Sequence, residues 1–429
     1  MALARTESTQ APNRPLQITL VLAGTAALLA ALSMAVIFGA VISRIATNAY
    51  GATGDFLSFY AAGYIVRSGL GEKLYDPEML ESAQRYLYPG GFEHPIGYPL
   101  PVFVAWVFAA FSLLPFTASF FLWMAVCVAL LVAVLFVLAR ELRDVPSLPR
   151  RAFLLLAATS MPAITTVVFG QVDSIVLAGL LGGYLGLRSN RPDIAGLALC
   201  AVLVKPHFLA GVGLLLLLRG EWRTVRTLTL IGVPLLIVPA LLTSPNTVLG
   251  IFTLVASYPG ADDNLSVNAE MMANWRGFVV SATNSNSVLY WLPGQALIAI
   301  GALAIAVPRW RASGGGPSFD RAYSLAVLLP LLISPHLHTQ SLALLLVPAA
   351  LWLRGALDAT ASEARQQAYL AAMLAAYAAL FFLPFFAIQG LSLTVFLVLC
   401  AYMATAYRWP GCAATEAIDR EAEPLARAA

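Results

Sequence analysis

Charge is what this chain most lacks. Only 11% of its 429 residues are charged, and 60% are hydrophobic. A soluble domain carries about 25% charged residues, so a water-soluble fold is excluded and the bilayer is the solvent. Lysine is almost missing: Lys73 and Lys205 are the only two. With a net charge of +3 and no basic cluster interleaved with aromatics, nucleic acid is excluded as a partner. Cysteine is sparse as well. Cys127, Cys200, Cys400 and Cys412 are scattered, mostly in apolar runs and without metal-ligand spacing. Buried, inert thiols are the reading. There is also no internal repeat of the kind that builds the inverted halves of transporters.

What is present in quantity is apolar sequence in runs close to the roughly 20 residues that span a bilayer. Candidates are 17–44, 98–114, 117–139, 151–168, 172–187, 193–218, 226–243, 285–307, 321–334, 339–353, 367–386 and 391–407. The first, beginning at Leu16, is too long for a signal-peptide core and reads as an uncleaved signal anchor. Two are ambiguous. The 98–114 run opens on "GYPLP", and 193–218 is broken by Lys205-Pro206, where proline removes a backbone donor.

Arginine settles the preference between topologies, because basic residues gather on the cytoplasmic side. If 98–114 is re-entrant or juxtamembrane, and 193–204 and 207–218 are two short legs meeting at Lys205-Pro206, fourteen arginines fall in five loops on one side. Those loops are 140–151, 188–192, 219–226, 309–321 and 354–365. The alternative, with 98–114 crossing and 193–218 as one span, strands the Arg140–Arg151 cluster outside. The expected fold class is therefore an all-α polytopic membrane protein, a bundle of about 12 transmembrane helices over 17–407 with a cytoplasmic N-terminus. Its large outer loops are about 45–97 and 244–284. Residues 1–16 and 408–429 are cytoplasmic tails, the second expected to be disordered, and "SGGGPS" (Ser313–Ser318) is a flexible loop.

In this topology the polar groups other than arginine converge on the outer face. Asp55, Glu72, Lys73, Asp76, Glu93 and His94 lie in the first outer loop. "FGQVDS" (Phe169–Ser174) and "SPHLHTQS" (Ser334–Ser341) are outer turns, "VKPHF" (Val204–Phe208) is the apex of the broken pair, and "NWRGF" (Asn274–Phe278) ends the second outer loop. A transport pathway would place such groups near the midplane or on both faces. The layout predicts a cavity at the outer membrane–water interface.

The order of "GDFLSFYAAGYIVRSGLGEKLYD", "GYPLPVFVAWVF…LLPF", "GQVDSIVLAGLLGGYLGLRSNRPDIAGLALCAVLVKPHF" and "SPHLHTQSLALLLVPA" resembles glycosyltransferase family 87 from about Gly54 to Arg354. The resemblance implies a GT-C fold in a bacterial inner (cytoplasmic) membrane, with the active site facing the exterior. It also implies an inverting transfer of a sugar, mannose first, from a polyprenyl-phosphate donor to a lipid-linked or glycan acceptor. An arabinofuranosyl donor fits the same motifs; from other classes, a lipid or solute transporter or flippase and a non-catalytic assembly subunit compete. Glycoside hydrolysis is disfavoured, because it needs a carboxylate pair.

The resemblance further implies that Asp55 is the general base, with helix capping as its bland alternative. The leaving phosphate needs cations. Lys205 heads the candidates, against snorkelling to the headgroups, with His207, Arg276 and His336 beside it. Gln171, Asp173, Tyr60 and His338 are assigned to the sugar or acceptor; for Gln171 and Asp173 a turn-stabilising role competes. No D-x-D motif lies on the outer side, and Asp262-Asp263 are adjacent, so neither a metal nor another cofactor is expected. Partners are the donor, the acceptor and membrane lipids.

Overall fold

The computed structural model describes scattered positions between 21 and 36, then residues 38–47, 49, 54–88, 90–92, 95–257, 268–357, 361–386 and 393–406. Both tails, the Glu93-His94 pair and the acidic stretch at Asp262-Asp263 lie outside the described residues. Within them the chain is all-helical, with no strand.

Among the described residues five helices are long and apolar enough to cross a bilayer: Phe116–Glu141, Ser147–Val168, Trp222–Thr243, Val288–Ala312 and Thr339–Ala356. The expected number was about 12. The structure does not confirm that count: much of the expected first span, 17–44, lies outside the described residues, and the two legs beside Lys205 and the helix Val102–Phe111 are short, as the sequence had suggested.

Burial sorts the helices into a centre and a belt. Asp173–Arg188 and Gly316–Ile333 are the centre; in the second, every residue from Ala322 to Leu332 is buried. Trp222–Thr243 instead turns Leu230, Val233, Ile237, Leu241 and Leu242 outward, fully apolar and uncovered. A surface of this kind is stable only against lipid.

The break at Lys205-Pro206 is confirmed, and its two legs form a V. The first comprises helix Pro192–Cys200 and the 3₁₀ turn Ala201–Val204; the second comprises the 3₁₀ turn Pro206–Leu209 and helix Ala210–Arg219. The first leg runs alongside Trp222–Thr243 in the same direction. Asp193 at its start bonds Arg223 and Thr227, both at 2.9 Å, and Gly232 meets Leu203 near its end. The second leg returns along Gly316–Ile333, with Gly211 against the Ala326 carbonyl and Arg219 bonded to Ser313. Lys205 is therefore the apex.

Helix Val102–Phe111 has ten residues. At 1.5 Å per residue it is about 15 Å long, half the ~30 Å apolar core of a bilayer. It packs backbone to backbone on helix Phe56–Arg67, where a Cβ on Gly63 would fall 2.3 Å from the Phe108 carbonyl carbon. Trp106 donates to Thr243 Oγ at 2.8 Å, which fixes this helix at the far end of Trp222–Thr243. Pro101 precedes the helix in extended backbone, at φ −61° and ψ 153°.

Candidate active site

Asp55 begins helix Phe56–Arg67. Its backbone carbonyl accepts the first helical bonds from Ser58 and Phe59. Its carboxylate does not cap the helix. The contrast is local: Asp76, Ser160 and Asn274 start other helices and do use their side chains as caps. The capping alternative therefore fails for Asp55, whose half-buried carboxylate makes no hydrogen bond among the described residues. Burial pushes its pKa up to about 6; the Lys205 charge opposes the rise and the Asp173 charge adds to it.

Two glycines lock this turn to the "FGQVDS" loop. Gly54, at φ +52°, would bring a Cβ within 3.0 Å of Phe169 Cα, and Gly170, at φ +63°, would bring one within 2.7 Å of Phe56 Cβ. Phe56 N–H donates to the Phe169 carbonyl at 3.1 Å across the seam. The Phe56 ring sits 5.3–6.0 Å from those of Tyr60, Phe108, Phe116 and Phe120, so the residue after Asp55 is anchored in an aromatic core. On the loop's other side, Trp123 Nε1 donates to the Gly170 carbonyl at 2.7 Å.

Asp173 follows two residues after Gln171 and is wholly buried. Its Oδ2 pairs with Lys205 Nζ at 2.7 Å, and its Oδ1 accepts from Ser341 Oγ at 2.7 Å. Gln171 Oε1 accepts from the same ammonium at 3.3 Å. Lys205 is thus tethered inside rather than extended to the headgroups. Pairing is what makes a lysine tolerable at the middle of an apolar run.

The two remaining segments are stitched to each other. Ala273 N–H donates to the Leu337 carbonyl at 2.6 Å, and Asn274 Nδ2 to the Ser334 carbonyl at 2.7 Å. Arg276 is buried; its Nε and Nη2 donate to Asn286 Oδ1 at 3.0 and 2.7 Å, and Nη1 to the Pro335 carbonyl at 3.4 Å. This guanidinium is engaged in holding the histidine turn. The His336 and His338 rings lie 4.7 Å apart, edge to face. Burial holds His336 well below the ordinary histidine value and brings His338 down to about 4. Both shifts favour the neutral ring near pH 7, in which one nitrogen donates and the other accepts. The charges of Lys205, His207 and Arg276 all act on His336, which places the four in one neighbourhood. His207 itself is exposed and packs on Phe208 at 4.1 Å.

Asp55, Gln171, Asp173, Lys205, His207, Arg276, His336 and His338 are thus brought to one end of the bundle by five separate segments. Tyr60 is not. Its hydroxyl donates to the Leu114 carbonyl at 2.6 Å and its ring belongs to the aromatic core. Sequence reasoning missed Ser341 and Asn286. The first is an uncharged residue closing the "SPHLHTQS" turn, the second lies ten residues past Arg276, and neither carries a local signal of its role.

A helical bundle with a lipid-facing belt and one acid–lysine–histidine cluster at its end is the architecture of a membrane enzyme. The model of glycosyltransferase family 87 matches residues 98–335. That is more than half of the chain, which belongs to this family and is a membrane glycosyltransferase. The match contains Gln171, Asp173, Lys205, His207 and Arg276, and stops before His336; Asp55 precedes it. No curated protein and no solved structure matches the chain.

Proposed function

We propose that the protein is an inverting, GT-C-type transferase that moves a sugar, mannose first, from a polyprenyl phosphate to a hydroxyl of a lipid-linked or envelope-glycan acceptor. One observation carries the reading: the Asp55 carboxylate stands unbonded and half-buried beside a tethered lysine. The acceptor hydroxyl oxygen attacks the anomeric carbon from the face opposite the phosphate. The bond from that carbon to the phosphate oxygen breaks, and polyprenyl phosphate leaves with the electron pair. Asp55 takes the hydroxyl proton, a role suited to a carboxylate raised toward neutral pH. Lys205 stabilises the charge that grows on the leaving oxygen. His207 and the neutral rings of His336 and His338 offer further hydrogen bonds to donor or acceptor, while Arg276 holds the turn that presents them. No metal takes part in this scheme. The gathering of these groups at one end, instead of along a path through the bundle, supports transfer over transport.

The scheme faces the outside of a bacterial inner membrane. A cysteine at Ser147 should then react with impermeant reagents only from the cytoplasmic side, and one at Ser68 only from outside. External reactivity at position 147 would reverse the orientation. The activity itself is tested by incubating purified protein in lipid nanodiscs with a panel of polyprenyl-phosphate hexoses and pentofuranoses and with envelope lipid extracts. Transfer from one donor, rising as pH increases through about 6 while Asp55 loses its proton, is the expected result. Transfer from a pentofuranose alone would move the substrate to the arabinofuranosyl class. Absence of transfer from every donor would overturn the reading.

A further inference from the structure

The Lys205 ammonium does not wait in solvent for a ligand. It is already held on three sides of the chain: by Asp173, at the first position of helix Asp173–Arg188; by Gln171, in the loop before it; and, through Asp173, by Ser341 in the 3₁₀ turn Thr339–Leu345. Both Asp173 oxygens are committed, and the residue has no exposed surface. The holder is itself braced. Gln171 N–H donates to the Thr166 carbonyl at 2.8 Å, and Thr166 Oγ donates at 3.2 Å to the carbonyl of Gln340, the residue before Ser341.

We infer that Asp173 and Ser341 are positioning residues for Lys205: the serine hydroxyl fixes the carboxylate, and the carboxylate aims the ammonium at the space Asp55 faces. The inference rests on the reading that Lys205 meets the donor phosphate. A lysine side chain is long and flexible, and ordering it in advance removes that cost from donor binding. Asp173 also balances the lysine while the site is empty, which lets a cation persist in an apolar bundle. Its fixed place has an electrostatic consequence. Lys205 and Asp173 are the charged groups that act on Asp55 among the described residues. Helix Val102–Phe111, packed on the helix that Asp55 begins, carries no titratable side chain, and neither does Phe169–Gln171. Lys205 favours the Asp55 anion, and Asp173 opposes it.

Donor kinetics and pH–rate profiles of Asp173→Asn, Asp173→Glu, Ser341→Ala and Lys205→Met test this, with thermal unfolding as the folding control. Ser341→Ala should raise the donor KM by about threefold to tenfold, the scale of one ordinary hydrogen bond, because the serine acts on Lys205 only through Asp173, and leave the acid limb of the profile where it is. Asp173→Asn should raise the donor KM by at least about tenfold and move the acid limb to lower pH, because the anion opposing Asp55 ionisation is gone. Asp173→Glu should recover part of the KM and the original limb. Lys205→Met should move the limb the other way. A purely structural role would lower thermal stability and leave the limb still. If Asp173→Asn does not fold, Ser341→Ala and Asp173→Glu decide. Wild-type donor KM in Ser341→Ala, together with an unmoved limb in whichever Asp173 variants fold, overturns the inference while Asp55→Asn remains inactive. Wild-type transfer by both Asp55→Asn and Lys205→Met would instead overturn the functional reading beneath it.

Discussion

The two polar ends of the bundle use the same kinds of residue to opposite effect. At the arginine-rich end, acids and bases close on each other. Glu141, at the foot of helix Phe116–Glu141, bonds both Arg188 and Arg354; Arg354 reaches on to Asp320 and the Tyr184 hydroxyl; Asp193 bonds Arg223. The Glu141 network ties four helices together and the Asp193 pair ties two more, and each of these carboxylates finds a guanidinium. In the cluster at the other end Asp173 is paired with Lys205, and Asp55, joined to the same loop through Phe56 and Phe169, is left without a hydrogen bond among the described residues. Satisfied charge makes a clamp. A carboxylate kept partly dry and unpaired is at a cost to the fold, and such costs concentrate where chemistry is done.

The sharpest way to break this comparison is Asp55→Asn. Loss of a general base costs about 10²–10⁴ in rate, so turnover should fall by that factor with donor affinity nearly kept. Stability should respond in the opposite direction. The Asp55 pKa is raised in the folded state, so its ionisation disfavours folding as pH rises through about 6. The asparagine variant should therefore unfold no earlier than wild type at pH 7.5. Near-normal turnover would remove Asp55 from the mechanism.

Next in size is the clamp. Arg354→Met takes this shared partner from Glu141 and Asp320, which keep Arg188 and the Tyr184 hydroxyl; the pairs are only partly buried, so the loss should be about 1–3 kcal/mol. Denaturant titration in detergent should show that loss, while turnover per folded molecule stays unchanged. A catalytic defect without destabilisation would merge the two ends into one functional system.

Lys205→Met ranks third. It deletes a charge and keeps the apolar stem, and a charge-assisted bond is worth about 1.5–3 kcal/mol. Donor Kd should weaken by a matching factor of about ten to a hundred, and Lys205→Arg should recover only part, since a planar fork is not a point charge. Full activity of the arginine variant would return the lysine to a packing role. The smallest effect belongs to Arg223→Ala: its pair with Asp193 is exposed on both sides, and neither melting temperature nor turnover should move measurably.

Much of the site was legible in the sequence because its residues break rules that apolar helices obey. A lysine followed by proline inside an apolar run announces a kink, and the kink is there. An aspartate in "TGDF" reads as the start of a helix, and a helix does begin at Phe56. What was not legible depends on distance in the chain. Nothing local says that Gly54 meets Phe169, that Ser341 meets Asp173, or that Asn286 takes up Arg276. Tyr60 reads as a polar tip near the aspartate, yet Leu114 offers its hydroxyl a carbonyl from 54 residues away. The fold-back at Lys205-Pro206 was legible because proline marks it, whereas helix lengths elsewhere depend on packing partners far away in the chain.

The V at Lys205 also works as a depth gauge. Its two legs rise from the arginine-rich end and return to it, so the apex stands at a height set by how many residues each leg contains. A helix gains about 1.5 Å per residue, and one added turn in both legs would lift the ammonium by about 5.4 Å, past Asp173 and out of register with Asp55. For the lipid-phosphate donor proposed above, the membrane would fix the height of the phosphate, and leg length would then select a donor by where its polar link rides in the bilayer.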